Sequence, residues 1–361
     1  MNGSFSSYWR EMASGSSAGA GSRLLRVFLI PLSLVYALVQ RMRTELYRTG
    51  ILKTRRLSRP VISIGNIAVG GTGKTPITAH LARLIMAQGL KVAVLSRGYG
   101  GTLEGQNAIV SDGQRIILSA AQSGDEPFLL AKSVPGLAVV IGSDRYAAGQ
   151  LAMKVCAPDV FLLDDGFQHL RLQRDLNILL LDCTRPFGNG WPLPAGLLRE
   201  PKRAVDRADL VVLTRCPEGA LAVSPVPGKP YCRARHDLAD LLPLTGGEPL
   251  QFETLRGRGV VAFSGIAEPQ AFVDGLRRQG LQVIASLCFP DHVAYSDARL
   301  SEIEDLLRTS AADFAITTEK DGVKLDRLPK ASAQKILLAR LSLGVDDPAP
   351  LTELLFNLLQ K

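Results

Sequence analysis

Val61-Ile62-Ser63-Ile64-Gly65-Asn66-Ile67-Ala68-Val69-Gly70-Gly71-Thr72-Gly73-Lys74-Thr75-Pro76 is the stretch that decides the fold. Residues 61–64 are apolar and β-branched, which predicts a short buried strand. A glycine-rich turn follows. A helix is then expected from Thr75-Pro76, with proline in its first turn, where its missing N–H is no loss. A strand, a glycine-rich loop ending in Gly-Lys-Thr and a helix are together the context of a phosphate cradle. Gly70, Gly71 and Gly73 let the backbone turn tightly and aim its N–H groups at phosphate oxygens. Lys74 can reach the β- and γ-phosphates, and the Thr75 hydroxyl can ligate Mg²⁺. The expected nucleotide-binding set is Ala68, Val69, Gly70, Gly71, Thr72, Gly73, Lys74 and Thr75. Ala68 stands where the usual loop has its first glycine, so the loop is a variant.

Outward from this loop the pattern stays α/β. Gly89 closes the first helix, and strands are expected at 92–96, 138–141, 160–163, 178–182 and 210–213, alternating with helical stretches. That alternation predicts a parallel sheet with right-handed crossovers. Residues 217–258 change character, carrying Pro225, Pro227, Gly228, Pro230, Gly246 and Gly247, and read as a linker region. A second α/β unit follows, with strands at 260–263, 282–287 and 314–317 and helices near 270–278 and 298–308. A strand-like run at 336–343 precedes a helical tail at 351–359. The expected division is a loose stretch at 1–22, a membrane-associated helix at 23–50, a P-loop domain at 51–228, a linker at 229–258, a smaller α/β domain at 259–335, and a returning strand and helix at 336–361.

The apolar run 27–39 is flanked by Arg23 and Arg26 before it and Arg41, Arg43 and Arg48 after it. It is short against the roughly 20 apolar residues of a comfortable span, and Pro31 is expected to bend or restart a helix there. It also lacks the layout of a signal peptide. An in-plane helix with arginines on lipid phosphates fits it best. Across the whole chain, 42 Lys and Arg against 34 Asp and Glu give a net charge of +8, which suits an anionic partner. Nucleic acid is set aside, because no zinc finger, RNA-binding aromatic signature or long basic arm is present. The five cysteines are scattered without a CxxC pair, fit a reducing compartment and are expected as buried thiols.

An apolar run ending in Asp164-Asp165-Gly166 supplies the carboxylates that Mg²⁺ needs beside a phosphate cradle. Three loops look built for the acceptor side: Ser123-Gly124-Asp125-Glu126-Pro127, Phe167-Gln168-His169 and Phe289-Pro290-Asp291-His292. Taken alone, Asp125 reads first as a helix N-cap. Arg97, Arg145, Arg171 and Arg199 lie in or near loops and can hold phosphate groups.

The combination is more specific than any part. With Ser63-Ile64-Gly65-Asn66 and the cradle come Ser96-Arg97-Gly98-Tyr99-Gly100, Gly124-Asp125-Glu126-Pro127, Asp144-Arg145 and Asp164-Asp165-Gly166-Phe167-Gln168-His169. Leu193-Pro194-Ala195-Gly196, Leu198-Arg199-Glu200-Pro201, Asp291-His292 and Thr318-Glu319-Lys320-Asp321 follow in order. In these motifs, over about residues 24–325, the chain resembles the tetraacyldisaccharide 4′-kinase family. The resemblance implies transfer of the γ-phosphate of ATP to the 4′-hydroxyl of an acylated glucosamine disaccharide 1-phosphate. It implies a monotopic enzyme at the cytoplasmic face of the inner membrane, two α/β/α domains joined by a two-stranded linker, and a site in the cleft between them. It implies an Asp–His pair assisting the acceptor hydroxyl, here Asp125 and His292, beside Lys74 as the third catalytic residue. Asp164 and Asp165 then join Thr75 on the metal side with Glu200 as a further contributor. Arg97, Arg145, His169 and Arg199 become candidates for acceptor or phosphate contacts.

Two rival readings remain at this point. One is an ATPase switch of the partition or carrier type, which usually has a lysine where Val69 stands. The other is a nucleotide-binding module that tethers a partner to membrane. Acyl-chain lengths, nucleotide preference and oligomeric state are not readable from the sequence.

Overall fold

A computed structural model describes residues 9, 11–15, 19–217, 219 and 223–360. Of residues 1–22, expected as a loose stretch, those described are ordered: Met12 and Ala13 are fully buried and the first long helix already begins at Ala20. Along the chain the main elements are α1 (Ala20–Arg48), β1 (Val61–Asn66), α2 (Lys74–Met86), β2 (Val92–Ser96), β3 (Ala108–Asp112), α3 (Asp125–Ser133), β4 (Ala138–Ile141), α4 (Arg145–Val155), β5 (Val160–Asp164), β6 (Leu176–Asp182) and β7 (Leu210–Thr214). They continue with β8 (Tyr231–Pro243), β9 (Gly259–Ser264), α5 (Pro269–Arg278), β10 (Gln282–Cys288), α6 (Asp297–Thr309), β11 (Phe314–Thr318), α7 (Glu319–Gly322), β12 (Ile336–Asp346) and α8 (Ala349–Leu359).

These elements fall into two compact units. The first holds Met1–Leu95, Arg145–Arg235 and Val345–Lys361, and the second holds Ser96–Asp144 and His236–Gly344. The division therefore differs from the contiguous one expected. Residues 96–144, assigned to the P-loop domain by sequence order, cluster with the second unit. The stretch read as linker contains the 13-residue strand β8. Its sequence alternates, with Cys232 and Ala234 buried between half-buried arginines, but the prolines and glycines around it dominated the reading.

In the first unit, β1 lies between β5 and β6, with β2 beyond β5 and β7 beyond β6. All these pairs are parallel. Every residue of β1, β2, β5 and β7 is buried, which is why these strands read as continuous apolar runs rather than alternating ones. Parallel pairing brings the C-terminal ends of β1 and β5 side by side, with Ile64 opposite Asp164. The cradle and the acidic pair thus leave neighbouring strands at the same end of the sheet.

In the second unit, β9 lies between β10 and β11, β12 pairs with the far side of β11, and β3 pairs antiparallel with β4. Successive residues of β9 face opposite sides, as strand geometry requires. Val261 and Phe263 pack with Leu300 and Ile303 of α6, while Val260 and Ala262 pack with Phe272 and Leu276 of α5.

Helix α1 departs from expectation. It runs unbroken through Pro31 for 29 residues, and its stretch Arg23–Arg48 is long and apolar enough, by length and composition, to cross a membrane. Proline removes one backbone donor, and the helix-forming residues on both sides carry the helix past it. Leu24, Val27, Phe28, Leu32, Leu34, Val35, Leu38, Val39 and Met42 are all exposed, Phe28 by 70%. Opposite them, Ser33, Tyr36 and Arg43 hydrogen-bond to the body of the first unit. Of the cysteines, Cys216 and Cys232 are buried as expected, Cys156 and Cys183 are partly exposed, and Cys288 is exposed.

Candidate active site

The cradle is a braced loop. Ala68 bridges Leu198 in antiparallel fashion, Val69 N–H donates to the Leu197 carbonyl (2.8 Å) and Arg199 N–H donates to that of Ile67 (2.7 Å). An extended residue serves at position 68, which explains why alanine can stand there. The positive φ that only glycine adopts freely falls instead at Gly70 (126°) and Gly73 (72°). Gly73 ends the loop, and α2 begins at Lys74. The Asn66 side chain donates to Thr72 Oγ1 (2.8 Å), while its own Oδ1 is buried without a partner. Gly65 is required for a steric reason. A Cβ there would lie 2.8 Å from the Phe167 nitrogen, so the loop after β5 packs directly on the end of β1.

That loop splits the two acids. Asp164 ends β5, is 2% exposed, and accepts from Thr78 Oγ1 of α2 at 3.4 Å. Asp165 sits in the left-handed region (φ 52°), a conformation uncommon outside glycine, which turns it away from the strand. Arg199 Nη1 reaches both its oxygens (3.0 and 2.8 Å), and Lys74 Nζ lies 3.7 Å away. Burial pushes the Asp165 carboxyl up, but Lys74 and Arg199 outweigh it and hold it below the usual carboxylate range. Arg145, 5% exposed at the start of α4, adds to the same positive field.

Glu200 lies beneath the acidic loop with two side-chain partners. It is 2% exposed and already committed: Arg207 pairs with it at 2.8 Å and Gln168 Nε2 donates to it at 3.0 Å. Gln168 also donates to the Asn66 carbonyl (2.8 Å), so Glu200, expected as a further contributor on the metal side, also ties the acidic loop to the cradle. His169 anchors the same loop through its backbone, its N–H bonded to Gly166 and its carbonyl to Arg174. Arg97 lies in the second unit with its side chain 64% exposed, held 3.2 Å from Glu104.

For Mg²⁺ the donor set has the right chemistry, a hydroxyl at Thr75 and a carboxylate at Asp164. Among the described residues no group of three or more His, Cys, Asp and Glu gathers as a metal cage. That fits an ion completed by phosphate oxygens and water, which is how Mg²⁺ usually binds.

The second unit holds the other cluster. Asp125 opens α3. It does not cap that helix: Gly124 is the N-cap, and Asp125 Oδ1 accepts from Glu126 N–H (2.9 Å). Its carboxylate, 6% exposed, meets His292 Nδ1 through both oxygens at 3.2 and 3.1 Å. His292 holds a positive φ (58°), which turns its ring out of the loop after β10, and Tyr99 packs edge-on against it at 5.4 Å. Lys320 and Lys324 stand 4.0 and 3.6 Å from Asp125. Burial pushes the Asp125 carboxyl up, but the His292 hydrogen bond and both lysines hold it below its usual range. The same bond pushes the His292 imidazole up against its burial and Lys320.

Comparison with known proteins agrees with these motifs. The family model of the tetraacyldisaccharide-1-P 4'-kinases matches residues 25–360. The chain belongs to this family. The tetraacyldisaccharide 4'-kinase of Pelobacter propionicus is 61% identical over 361 residues, all of both chains, and that of Geobacter sulfurreducens is 54% identical over 95% of this chain and 96% of its own. The crystal structure of the Aquifex aeolicus family member in complex with ATP superposes with a TM-score of 0.79 at 36% identity, covering 93% of this chain and 99% of that one.

Within this kinase chain, the sequence marked Thr318-Glu319-Lys320-Asp321 as a motif but gave Lys320, Lys324 and Arg207 no role. Lys320 and Lys324 approach Asp125 from a short helix and the turn after it, remote in sequence. Thr318-Glu319-Lys320-Asp321 follows a strand directly, which is the position that carries chemistry in parallel sheets. Arg207, which neutralises Glu200, had no motif to mark it.

Proposed function

We propose that this chain transfers the γ-phosphate of ATP to the 4′-hydroxyl of a tetraacylated glucosamine disaccharide 1-phosphate, forming lipid IVA. The observation that carries the assignment of roles is the buried Asp125–His292 pair. A phosphate cradle alone serves a hydrolytic switch equally well. A carboxylate shared with an imidazole is what an acceptor hydroxyl needs in order to lose its proton.

In this reading the amides of residues 68–75 and Lys74 gather the phosphates and neutralise the charge that spreads over the transferred group. Thr75 and Asp164 would hold Mg²⁺, directly or through water, and the bound ion would supply further neutralisation of the phosphate oxygens. Asp165 keeps Lys74 and Arg199 gathered until phosphate competes for them. Arg199 and Arg145 then serve phosphate groups. Asp125, oriented by His292, accepts the proton of the 4′-hydroxyl as its oxygen bonds to phosphorus and the bond to ADP breaks. His169 and Arg97 are acceptor-side candidates, Arg97 through the exposed guanidinium.

The exposed apolar stripe of α1 and its flanking arginines support association with an anionic membrane surface, at the cytoplasmic face of the inner membrane. The partner is the lipid-linked disaccharide, and no nucleic acid is involved. The test is transfer itself. Purified protein with Mg²⁺, γ-labelled ATP and the acylated disaccharide phosphate in detergent should place label in the lipid extract, lost on chelation and in Lys74→Ala. Release of free phosphate without lipid label would instead favour a switch ATPase.

A further inference from the structure

Thr318-Glu319-Lys320-Asp321, at the end of β11, is a cluster that the roles above leave unused, and its geometry is constructed in detail. Thr318 caps α7, accepting from Asp321 N–H (3.1 Å) and donating its hydroxyl to Asp321 Oδ2 (2.8 Å). Asp321 is fully buried, and its Oδ2 also accepts from Gly265 N–H at the end of β9 (3.0 Å). Gly265 admits no side chain, since a Cβ would lie 2.4 Å from Val293 and 3.2 Å from the Pro290 carbonyl. The motif is thus locked against the loop that carries His292. Lys320 projects onto that loop, its side chain only 18% exposed, with Nζ 3.1 Å from Asp291 Oδ1, 3.4 Å from Glu126 Oε1 and 3.2 Å from His292 Nε2.

An ammonium group has protons to give and no lone pair. Burial works against the charge on Lys320, but Glu126, Asp125 and Asp291 together keep the group protonated. A bond between it and His292 Nε2 therefore makes Nε2 the acceptor. The ring proton is left on Nδ1, the atom facing Asp125.

We propose that Lys320 is a positioning residue of the transfer reaction: its ammonium fixes the His292 imidazole as the Nδ1–H tautomer donating to Asp125, and disfavours a second proton on that ring. The inference rests on the assignment of Asp125 and His292 above and deepens it. With Nε2 occupied, the proton of the acceptor hydroxyl goes to the Asp125 carboxylate, and His292 orients that carboxylate. The charged and titratable groups around the ring are Asp125 and Glu126 from α3, Asp291 from its own loop, Lys320 of α7 and Lys324 just after it, with Asp321 pairing Lys324 (3.1 Å) and Tyr99 edge-on. Of these, Lys320 is the cation that meets Nε2.

Transfer rate against pH, measured on the full-length enzyme in detergent, tests the assignment. Lys320→Met should displace the acid limb of kcat/KM upward by about one unit, the least that a unit charge at this distance exerts even at the dielectric constant of water. Lys320→Arg, which keeps the charge, should leave the limb near its native place and restore much of the rate. An unmoved limb in a folded Lys320→Met enzyme, or an arginine variant no better than methionine, overturns it. Should the methionine variant fail to fold, ¹⁵N shifts of the native enzyme decide. With four histidines in the chain, His292 is assigned by difference from His292→Asn. An Nδ1–H tautomer supports the assignment and an Nε2–H tautomer overturns it. Asp125→Ala separates the layers. If that variant stays active, the base assignment itself falls. If it is inactive while the limb of Lys320→Met stays put, only the role of Lys320 falls.

Discussion

Asp165 in the first unit, half-buried, and Asp125 in the second, buried, are carboxylates each facing two or more cationic side chains, yet the proposed mechanism gives them opposite tasks. Asp165 faces an ammonium and a guanidinium, Lys74 and Arg199. In the proposed mechanism it is a fixed clamp, and a phosphate group takes over its cations. Asp125 faces two lysines as well, but its closest partner is His292, whose imidazole can take up or release a proton. The difference is one residue type in the innermost position. It separates a site that holds charge from one that can move a proton.

The sharpest way to break this comparison is to remove each anchor and ask what is lost. Asp125→Ala should lower kcat by roughly 10²- to 10⁴-fold, the usual contribution of a general base, with ATP binding intact. Lys74→Ala should cost about 10²- to 10³-fold and weaken ATP binding as well. Equilibrium binding of labelled ATP to both variants is the check. If Asp125→Ala also lost ATP, or if it turned over at the native rate, the division of labour would be wrong.

Much of this was legible beforehand, for physical reasons that can be named. The strands of the first unit announced themselves because burial on both faces demands unbroken apolar runs, and the cradle because its glycines answer to backbone geometry. Residues 92–96 and 138–141 fall where the pattern put them. What escaped was whatever depends on partners distant in the chain. β8 hid among prolines, since its alternation is only half apolar. Residues 96–144 group with 236–344 through tertiary contacts that sequence order does not carry. Taken alone, Asp125 read as a cap because its local context is that of one, and only the family resemblance paired it with His292. Its use is set by His292, 167 positions away. Nothing in the sequence around Glu200 shows that Arg207 will meet it.

Glu200 offers the next test, of smaller size. As a tie between loops, Glu200→Gln should destabilise the fold by about 1–3 kcal/mol, the cost of leaving a buried charged partner poorly matched. The Mg²⁺ concentration that gives half-maximal rate should not move. A native melting temperature combined with a large shift in Mg²⁺ dependence would restore the metal role.

The two carboxylates should also differ in how stability follows pH. Asp125 and Asp165 both lie below the ordinary range, so each contributes stability that is present above the unfolded carboxylate value and fades as pH falls through the folded one. His292 lies above its ordinary value. Its contribution is full below the unfolded imidazole value and fades as pH rises through the folded one. The Asp125 pair is therefore bounded on both sides and the Asp165 cluster on the acid side alone. Melting temperatures of the native protein, His292→Asn and Asp165→Asn across about pH 5 to 8 decide it. The gap between native protein and His292→Asn should narrow towards the alkaline end. That for Asp165→Asn should stay level over the same range. A level gap for both would remove the titratable character of the second site.

The smallest expected effect concerns what each cluster leans on. Tyr36 of α1 donates to the Arg199 carbonyl (2.8 Å), Ser33 Oγ accepts from Ala195 N–H (2.9 Å), and Arg43 donates to the Gln168 carbonyl (3.1 Å). The polar face of the helix thus holds the segment from which Arg199 reaches Asp165. Tyr36→Phe deletes one such bond and leaves the apolar face, and with it any membrane affinity, unchanged. A net loss of about 1 kcal/mol corresponds to about a fivefold change in an equilibrium constant. It should appear as a rise in KM for ATP, because the clamp loosens, with the acid limb of the pH profile unmoved, because the Asp125 pair takes nothing from α1. If Tyr36→Phe leaves both KM and kcat native while removal of the apolar stripe abolishes activity, α1 serves as an anchor only. If it shifts the acid limb, the titratable pair answers to the clamp, and the contrast between a fixed clamp and an independent titratable pair falls.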